Sequence, residues 1–211
     1  MRKILHHGPT PVLDANPFSR ARFLTSAARL EQLPPPDRPE LAFAGRSNSG
    51  KSSALNALCG RRKLARVSRT PGRTQLLNFF ELPEGRIVDL PGYGFARVPK
   101  DLHAGWGGLI EGYLASRECL RGLAVVMDAR RPLTEFDRAM LGWARAQGLP
   151  CHLLLAKSDK LASGAARRTL REVQGELPSL HERATAQLFS AHAGTGVEEA
   201  REALARWLKP E

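Results

Sequence analysis

Residues Gly45-Arg46-Ser47-Asn48-Ser49-Gly50-Lys51-Ser52 follow directly on the apolar run Leu41-Ala42-Phe43-Ala44. This G-x-x-x-x-G-K-S spacing, set between a strand-like run and a helix, is the pattern that cradles a phosphate chain. The glycines let the backbone close on the anion where a Cβ would obstruct it. Successive N–H groups then form an anion nest at the positive end of the following helix. Lys51 is expected to reach the β- and γ-phosphates, and the Ser52 hydroxyl to ligate Mg²⁺. The ligand implied is a nucleoside triphosphate.

Further residues narrow the choice of nucleotide. Asp89-Leu90-Pro91-Gly92 ends the apolar stretch Arg86-Ile87-Val88, about forty residues past the loop. A carboxylate there can hold the hydration shell of Mg²⁺, and the Gly92 N–H can meet the γ-phosphate. Ala156-Lys157-Ser158-Asp159 closes the run Leu153-Leu154-Leu155. Asp159 can accept two hydrogen bonds from guanine N1–H and N2–H₂, a donor pair that adenine lacks. The Lys157 stem can cover the base, and Phe189-Ser190-Ala191 can offer a backbone N–H to guanine O6. Between loop and Asp89 lies Ser68-Arg69-Thr70-Pro71-Gly72-Arg73-Thr74-Gln75, with no regular periodicity. Thr74 is the expected second magnesium ligand and Thr70 the alternative. A segment held by γ-phosphate and released on hydrolysis is a switch.

Positioning these residues requires strands ending at 45, 90, 156 and 190, all delivering loops to one edge. Short apolar runs alternate with helical patterns from Leu41 onward, which predicts an α/β domain with a mainly parallel sheet. Strands are expected near 41–45, 75–82, 86–90, 121–128, 151–156 and 185–190, and helices near 51–59, 101–117, 134–147, 164–177 and 197–208. Pro83-Glu84-Gly85 joins two of these strands into a hairpin. The expected product is a Ras-like domain, a six-stranded mixed sheet with helices on both faces, over residues 41–211. Residues 1–40 form an extension ending in the stiff segment Leu33-Pro34-Pro35-Pro36-Asp37-Arg38-Pro39, within which Ala21–Ser26 can add an edge strand.

The bulk properties of the 211-residue chain fit a soluble domain, with 42% hydrophobic and 25% charged residues. It contains no run of membrane-spanning length, and Met1-Arg2-Lys3-Ile4-Leu5-His6-His7 lacks a signal-peptide core. Cys59, Cys119 and Cys151 lack metal-ligand spacing and read as buried thiols of a reducing compartment. A net charge of +11 favours a polyanionic partner. Its arginines cluster at Arg61-Arg62-Lys63, Arg66, Arg69 and Arg73, at Arg130-Arg131, and at Arg167-Arg168 with Arg171.

Together these motifs resemble the EngB (YihA/YsxC) family of bacterial GTP-binding proteins, within the TrmE-Era-EngA-EngB-septin-like superfamily. The resemblance covers nearly the whole chain. Its most specific segments are Thr70-Pro71-Gly72-Arg73-Thr74-Gln75 and Asp89-Leu90-Pro91-Gly92-Tyr93-Gly94-Phe95-Ala96, with Trp106-Gly107 and Asp128-Ala129-Arg130-Arg131-Pro132-Leu133-Thr134 in support. The resemblance implies a cytoplasmic GTPase acting in assembly of the large ribosomal subunit, with a link to cell division and septation. It implies rRNA as partner, no DNA, and a monomer. It also makes Ser52 and Thr74 the magnesium ligands. GTP or GDP would then be lined by Gly45 to Ser52, by Gly72, Arg73, Thr74, Gln75 and Leu76, by Asp89 to Gly92, by Ala156 to Asp159, and by Phe189 to Ala191.

Three positions bear on rate and affinity. Many relatives carry Asn or Thr where this chain has Ala156, so a side-chain brace on the phosphate loop is expected to be missing, costing about 0.5–1.5 kcal/mol. Ras-like enzymes place a water-orienting glutamine where this chain has Tyr93, which predicts slow intrinsic hydrolysis. Asn48 can bind K⁺ together with switch carbonyls, or brace the loop by a hydrogen bond. The catalytic set is therefore Lys51, Asn48, Thr74 and Gly92. A GTPase acting on a protein partner in division, without rRNA contact, is the alternative reading. An ATP-dependent kinase is disfavoured by Lys157-Ser158-Asp159.

Overall fold

The computed structural model describes residues 16–65, 76–93 and 107–209. Seven strands form one sheet in the order β1-β3-β4-β2-β5-β6-β7. They are β1 Arg22–Ala27, β2 Glu40–Gly45, β3 Leu77–Leu82, β4 Gly85–Asp89, β5 Leu120–Asp128, β6 Cys151–Ala156 and β7 Ala184–Leu188. Strands β4, β2, β5, β6 and β7 run parallel, while β3 is antiparallel to both β4 and β1. The sheet thus has one strand more than the six expected. Arg22–Ala27 adds it, pairing with β3 through a bulge between Phe23 and Thr25. That bulge breaks the two-residue alternation by which a strand is read from sequence.

Among the described residues the α-helices are α1 Lys51–Leu58, α2 Gly107–Ser116, α3 Glu135–Ala146, α4 Ser163–Leu180 and α5 Val197–Ala205. The part of the expected second helix before residue 107 lies outside the described residues. Central strands are buried on both faces, and alternate residues divide between two cores. Ala42, Ala44, Val125 and Leu155 face α2, α3 and α4. Leu41, Phe43, Val126 and Leu154 face α1 and α5, joined there by Phe18 and Ala21. Helix α3 starts on a capping box, in which the Asp137 carboxylate accepts from Thr134 N–H and Oγ1–H at 2.9 and 2.8 Å.

The proline segment before β2 is strapped to the amino ends of the strands. Arg86 donates to Pro35 O at 2.7 Å and pairs with Asp37, and Arg117 donates to Pro34 O at 2.8 Å. Both arginines meet Glu40, which is fully buried and also accepts the Tyr113 hydroxyl at 2.9 Å. Every strand of the parallel set therefore delivers its carboxyl end to the opposite edge, where ligands bind in open α/β sheets.

Candidate functional site

Strand β2 ends at Gly45 and α1 begins at Lys51, so the predicted phosphate loop occupies the turn between them. Gly50 caps α1 with φ of 109°, a left-handed conformation that costs glycine nothing. A Cβ on Gly45 would lie 2.7 Å from Val126 O and 2.8 Å from Ser49 Oγ, so only glycine fits beside β5. The loop is fastened to the segment after β4, with Ser47 N–H donating to Tyr93 O at 2.9 Å and Tyr93 N–H to Gly45 O at 3.3 Å. The first intrahelical bond of α1 runs from Ala54 N–H to Gly50 O. The N–H groups of Lys51, Ser52 and Ser53 precede it and point out of the helix toward an anion.

Lys51 forms an ion pair with Asp89, both side chains being nearly buried. Phosphate oxygens can take over the ammonium, freeing the carboxylate to face a hydrated cation. Ser52 is the second residue of α1, and its hydroxyl and the Asp89 carboxylate are hard oxygen donors of the kind suited to a divalent ion. Among the described residues no cluster of three or more His, Cys, Asp or Glu could hold a metal unaided. Gly72, Arg73, Thr74 and Gln75, together with Thr70, lie outside the described residues; Leu76 is half-buried just before β3.

The two loops expected to meet guanine interlock. After β6, Lys157 takes φ of 60° and starts the turn Ser158–Lys160. Ser158 donates its N–H and its hydroxyl to Phe189 O, at 3.1 and 3.0 Å. Ser190 Oγ donates to Asp159 Oδ1 at 2.6 Å and accepts Ala193 N–H at 3.0 Å. That hydroxyl holds the Asp159 carboxyl below its ordinary value, so it is an acceptor at neutral pH. Two predicted motifs thirty residues apart thus form one acceptor edge.

Ala156 supplies no side-chain brace, but Lys157 contacts the loop, its Nζ donating to Asn48 O at 2.5 Å and to Asp128 Oδ2 at 3.0 Å. Asp128 is held well below the usual carboxylate range, first by the Arg130 side chain and also by Lys157. Ala156 itself lies directly under Gly50, 3.4 Å from where a Cβ there would stand. The brace on Asn48 uses its main-chain carbonyl, and no hydrogen bond among the described residues uses its carboxamide. Asn48 is exposed, with φ of 64°.

Tyr93 is turned away from the chemistry. Its hydroxyl donates to Asp137 Oδ1 at 2.7 Å, and burial, followed by the Asp137 charge, pushes its acidity far from the neutral range. It therefore bridges the end of the Asp89-Leu90-Pro91-Gly92 motif to the α3 cap.

One cleft of about 720 Å³ joins these parts, walled by Gly50, Ala156, Lys157, Asp159, Phe189 and Ala191. Its other parts went unnoticed in the sequence: Ser53, Asn56 and Ala57 on α1, then Gly60, Arg61 and Arg62, with Lys160 and His192 beside the base loops. The signal was available, since 53, 56, 57 and 60 recur at helical spacing from the phosphate loop.

A protein-family model described as 50S ribosome-binding GTPase matches residues 40–157. A probable GTP-binding protein EngB of Coxiella burnetii is 50% identical over 203 residues, covering 96% of this chain and 99% of that one. The EngB protein of an Azoarcus species is 52% identical over 195 residues, 92% of this chain and 93% of its own. A crystal structure of a probable GTP-binding protein EngB superposes with a TM-score of 0.63 at 21% identity, over 80% of this chain and 98% of that one. Era, crystallised with MgGDPNP and a 16S ribosomal RNA fragment, gives a TM-score of 0.60 at 21% identity, over 82% and 57%.

Proposed function

Because the chain belongs to the EngB family of GTP-binding proteins, P-loop GTPases that hydrolyse GTP, we propose that it is a slow, nucleotide-gated factor in assembly of the large ribosomal subunit. It acts in the cytoplasm and is needed for normal division and septation. The observation that carries the nucleotide half is the Asp159–Ser190 pair at the end of the cleft opened by Gly50 and Lys51. A carboxylate aligned by a neighbouring hydroxyl accepts guanine's two donors and leaves adenine unpaired.

In the reaction, water attacks the γ-phosphorus in line as the bond to the β-phosphate oxygen breaks, releasing GDP and phosphate. Lys51 leaves Asp89 to bind the β- and γ-phosphates, and the Gly92 N–H bonds to a γ-oxygen. Ser52 and Thr74 would hold Mg²⁺, with the Asp89 carboxylate beside them, and the ion would supply charge neutralisation to the phosphoryl group in transfer. Tyr93 donates to Asp137, so its hydroxyl is engaged away from the attacking water. That supports a slow intrinsic rate. The carboxamide of Asn48, without a hydrogen bond among the described residues, would bind K⁺ in place of an arginine finger. Replacing sodium by potassium raises turnover of the wild type, and Asn48→Ala abolishes the response. An equal response in both would remove potassium from the mechanism.

The ribosomal half rests on charge. Helix α3 spends Arg138 on Glu176 and Arg145 on Glu182, at 2.6 and 3.1 Å. Arg167, Arg168 and Arg171 on the exposed face of α4 enter no ion pair among the described residues. With a net charge of +11, such arginines suit an RNA backbone. Salt-sensitive co-sedimentation with large ribosomal subunits, dependent on GTP or GDP, tests this reading. Binding independent of nucleotide and salt would defeat it.

A further inference from the structure

The two edges of the sheet are finished differently. Helix α4 lies along β7, and Gln174 donates its side-chain amide to Ala186 O at 3.2 Å. Beyond β1 no strand pairs among the described residues. This open edge also gathers the exposed large apolar side chains of the described residues, Phe23, Leu24 and Leu30. Leu30 is accounted for, since it packs against α2, where a Cβ on Gly112 would come within 2.6 Å of Leu30 Cδ1. Phe23 meets Phe80 edge to face, with ring centroids 6.0 Å apart and planes at 73°, and yet stays 59% exposed. Leu24 falls in the bulge and has no partner on β3. Phe23 and Leu24 together leave an apolar surface open to a partner.

What surrounds the ring selects that partner. A strand added to β1 would meet the bulge, which breaks the even run of N–H and C=O groups that strand addition needs. A second copy joined edge to edge would bring Arg20 and Arg22 against their own images. Both are exposed, and neither guanidinium enters a hydrogen bond or ion pair among the described residues. Glu81 stands across from Arg22 in the ladder, but no ion pair joins them. Arg61 adds a third charge at the turn into β1, its Nε donating to Ser19 O at 3.3 Å. Successive side chains of a strand alternate, so Phe23 and Arg22 straddle the edge. That arrangement suits a chain with flat aromatic groups on one side and anions on the other. We infer that Phe23 is a stacking platform for an unpaired base of RNA, with Arg20 and Arg22 taking the neighbouring phosphates. RNA as the partner is the reading proposed for the large subunit, and co-sedimentation of the wild type checks that premise separately.

The probes are a fluorescein-labelled single-stranded oligoadenylate, an abasic strand of equal length and an RNA duplex, each titrated with full-length protein by fluorescence anisotropy. Phe23→Ala, Phe23→Leu and Phe23→Trp are compared with the wild type. Phe23→Leu keeps an apolar contact with Phe80 but has no flat face, so it carries the test even where the alanine variant melts early. Stacking predicts that the wild type prefers oligoadenylate to both other probes. Phe23→Ala and Phe23→Leu should each weaken oligoadenylate binding about tenfold, and Phe23→Trp should stay within about threefold of wild type. Arg20→Ala and Arg22→Ala should each lower the salt slope by about 0.7. GDP affinity should be the same in every variant, since none of these residues lines the nucleotide cleft. Binding by Phe23→Leu within about twofold of wild type would overturn the assignment. So would equal affinity of the wild type for oligoadenylate and the abasic strand, which assigns the edge to charge alone. A wild-type dimer that Phe23→Leu dissolves would assign the patch to a second copy. Large subunits that retain Phe23→Leu as well as wild type would remove the contact while leaving the ribosomal reading intact.

Discussion

The two ends of β2 both concentrate buried charge, yet they use it in opposite ways. At the amino end, Glu40 is fully buried and takes two bonds from Arg117, one from Tyr113 and a looser contact from Arg86. The same arginines also satisfy carbonyls of the proline segment. At the carboxyl end, Lys51 and Asp89 hold one another, while the first N–H groups of α1 and the Asn48 carboxamide are left for something else. Charge that holds a fold together is matched within the chain, because an unmatched buried charge costs several kcal/mol. Charge that serves a ligand is matched only provisionally, in pairs that the ligand can exchange.

This contrast can be broken by substitution. Glu40→Ala should have the largest effect, a loss of about 3–5 kcal/mol, because it strands two nearly buried arginines. Chemical denaturation would measure it, and nucleotide affinity of the folded fraction should be unchanged. Asp159→Asn should do the reverse. GTP binding falls by about a hundredfold and xanthosine triphosphate is gained, since an amide can donate to the xanthine oxygen. Its melting temperature without nucleotide stays within about 2 °C of wild type. A large loss of stability in that variant would erase the distinction between the two ends.

Tyr93→Phe sharpens the boundary between them. Tyr93 lies at the carboxyl end but bonds inward to Asp137, so it belongs with the structural set. The variant should lose about 1 kcal/mol of stability and hydrolyse GTP within about twofold of wild type. A drop in turnover of tenfold would return the phenol to the chemistry.

The smallest effect concerns His152, between β6 and β7, whose ring bonds to Thr185 and Gln187 at 2.7 and 2.8 Å. Burial lowers its pKa from the ordinary 6.5, so the folded protein prefers the neutral ring. The unfolded chain therefore binds the proton first. Stability is complete above about 6.5 and declines as pH falls through the lower folded value. Melting at pH 7.5 and 5.5 should show a steeper acid loss in the wild type than in His152→Gln.

The sequence displayed the ligand-facing end far better than the structural one. Phosphate loop, Asp89 and Asp159 sit at strand ends marked by apolar runs, so local patterning alone delivers them to one edge. Arg117 and Glu40 are 77 residues apart, and no periodicity announces that they will meet. The seventh strand was legible only as a possible edge at 21–26, because its irregular register leaves Phe23 and Leu24 both outward at 59% and 39% exposure. The loop brace was sought at Ala156, where a side chain of the right type is missing. It came from the next residue, whose positive φ turns its side chain back over the loop. Tyr93 could be judged a poor water-orienting group by chemistry alone, but its partner Asp137 lies 44 residues on in a helix cap.

The Lys157 ammonium touches both the phosphate loop and Asp128, while its stem lines the base pocket. A base settling against that stem also restrains the loop that must receive the phosphates, and an occupied loop holds the stem in place for the base. Guanosine and pyrophosphate are consequently read by one cooperative unit, with a coupling free energy that either fragment alone would fail to reveal.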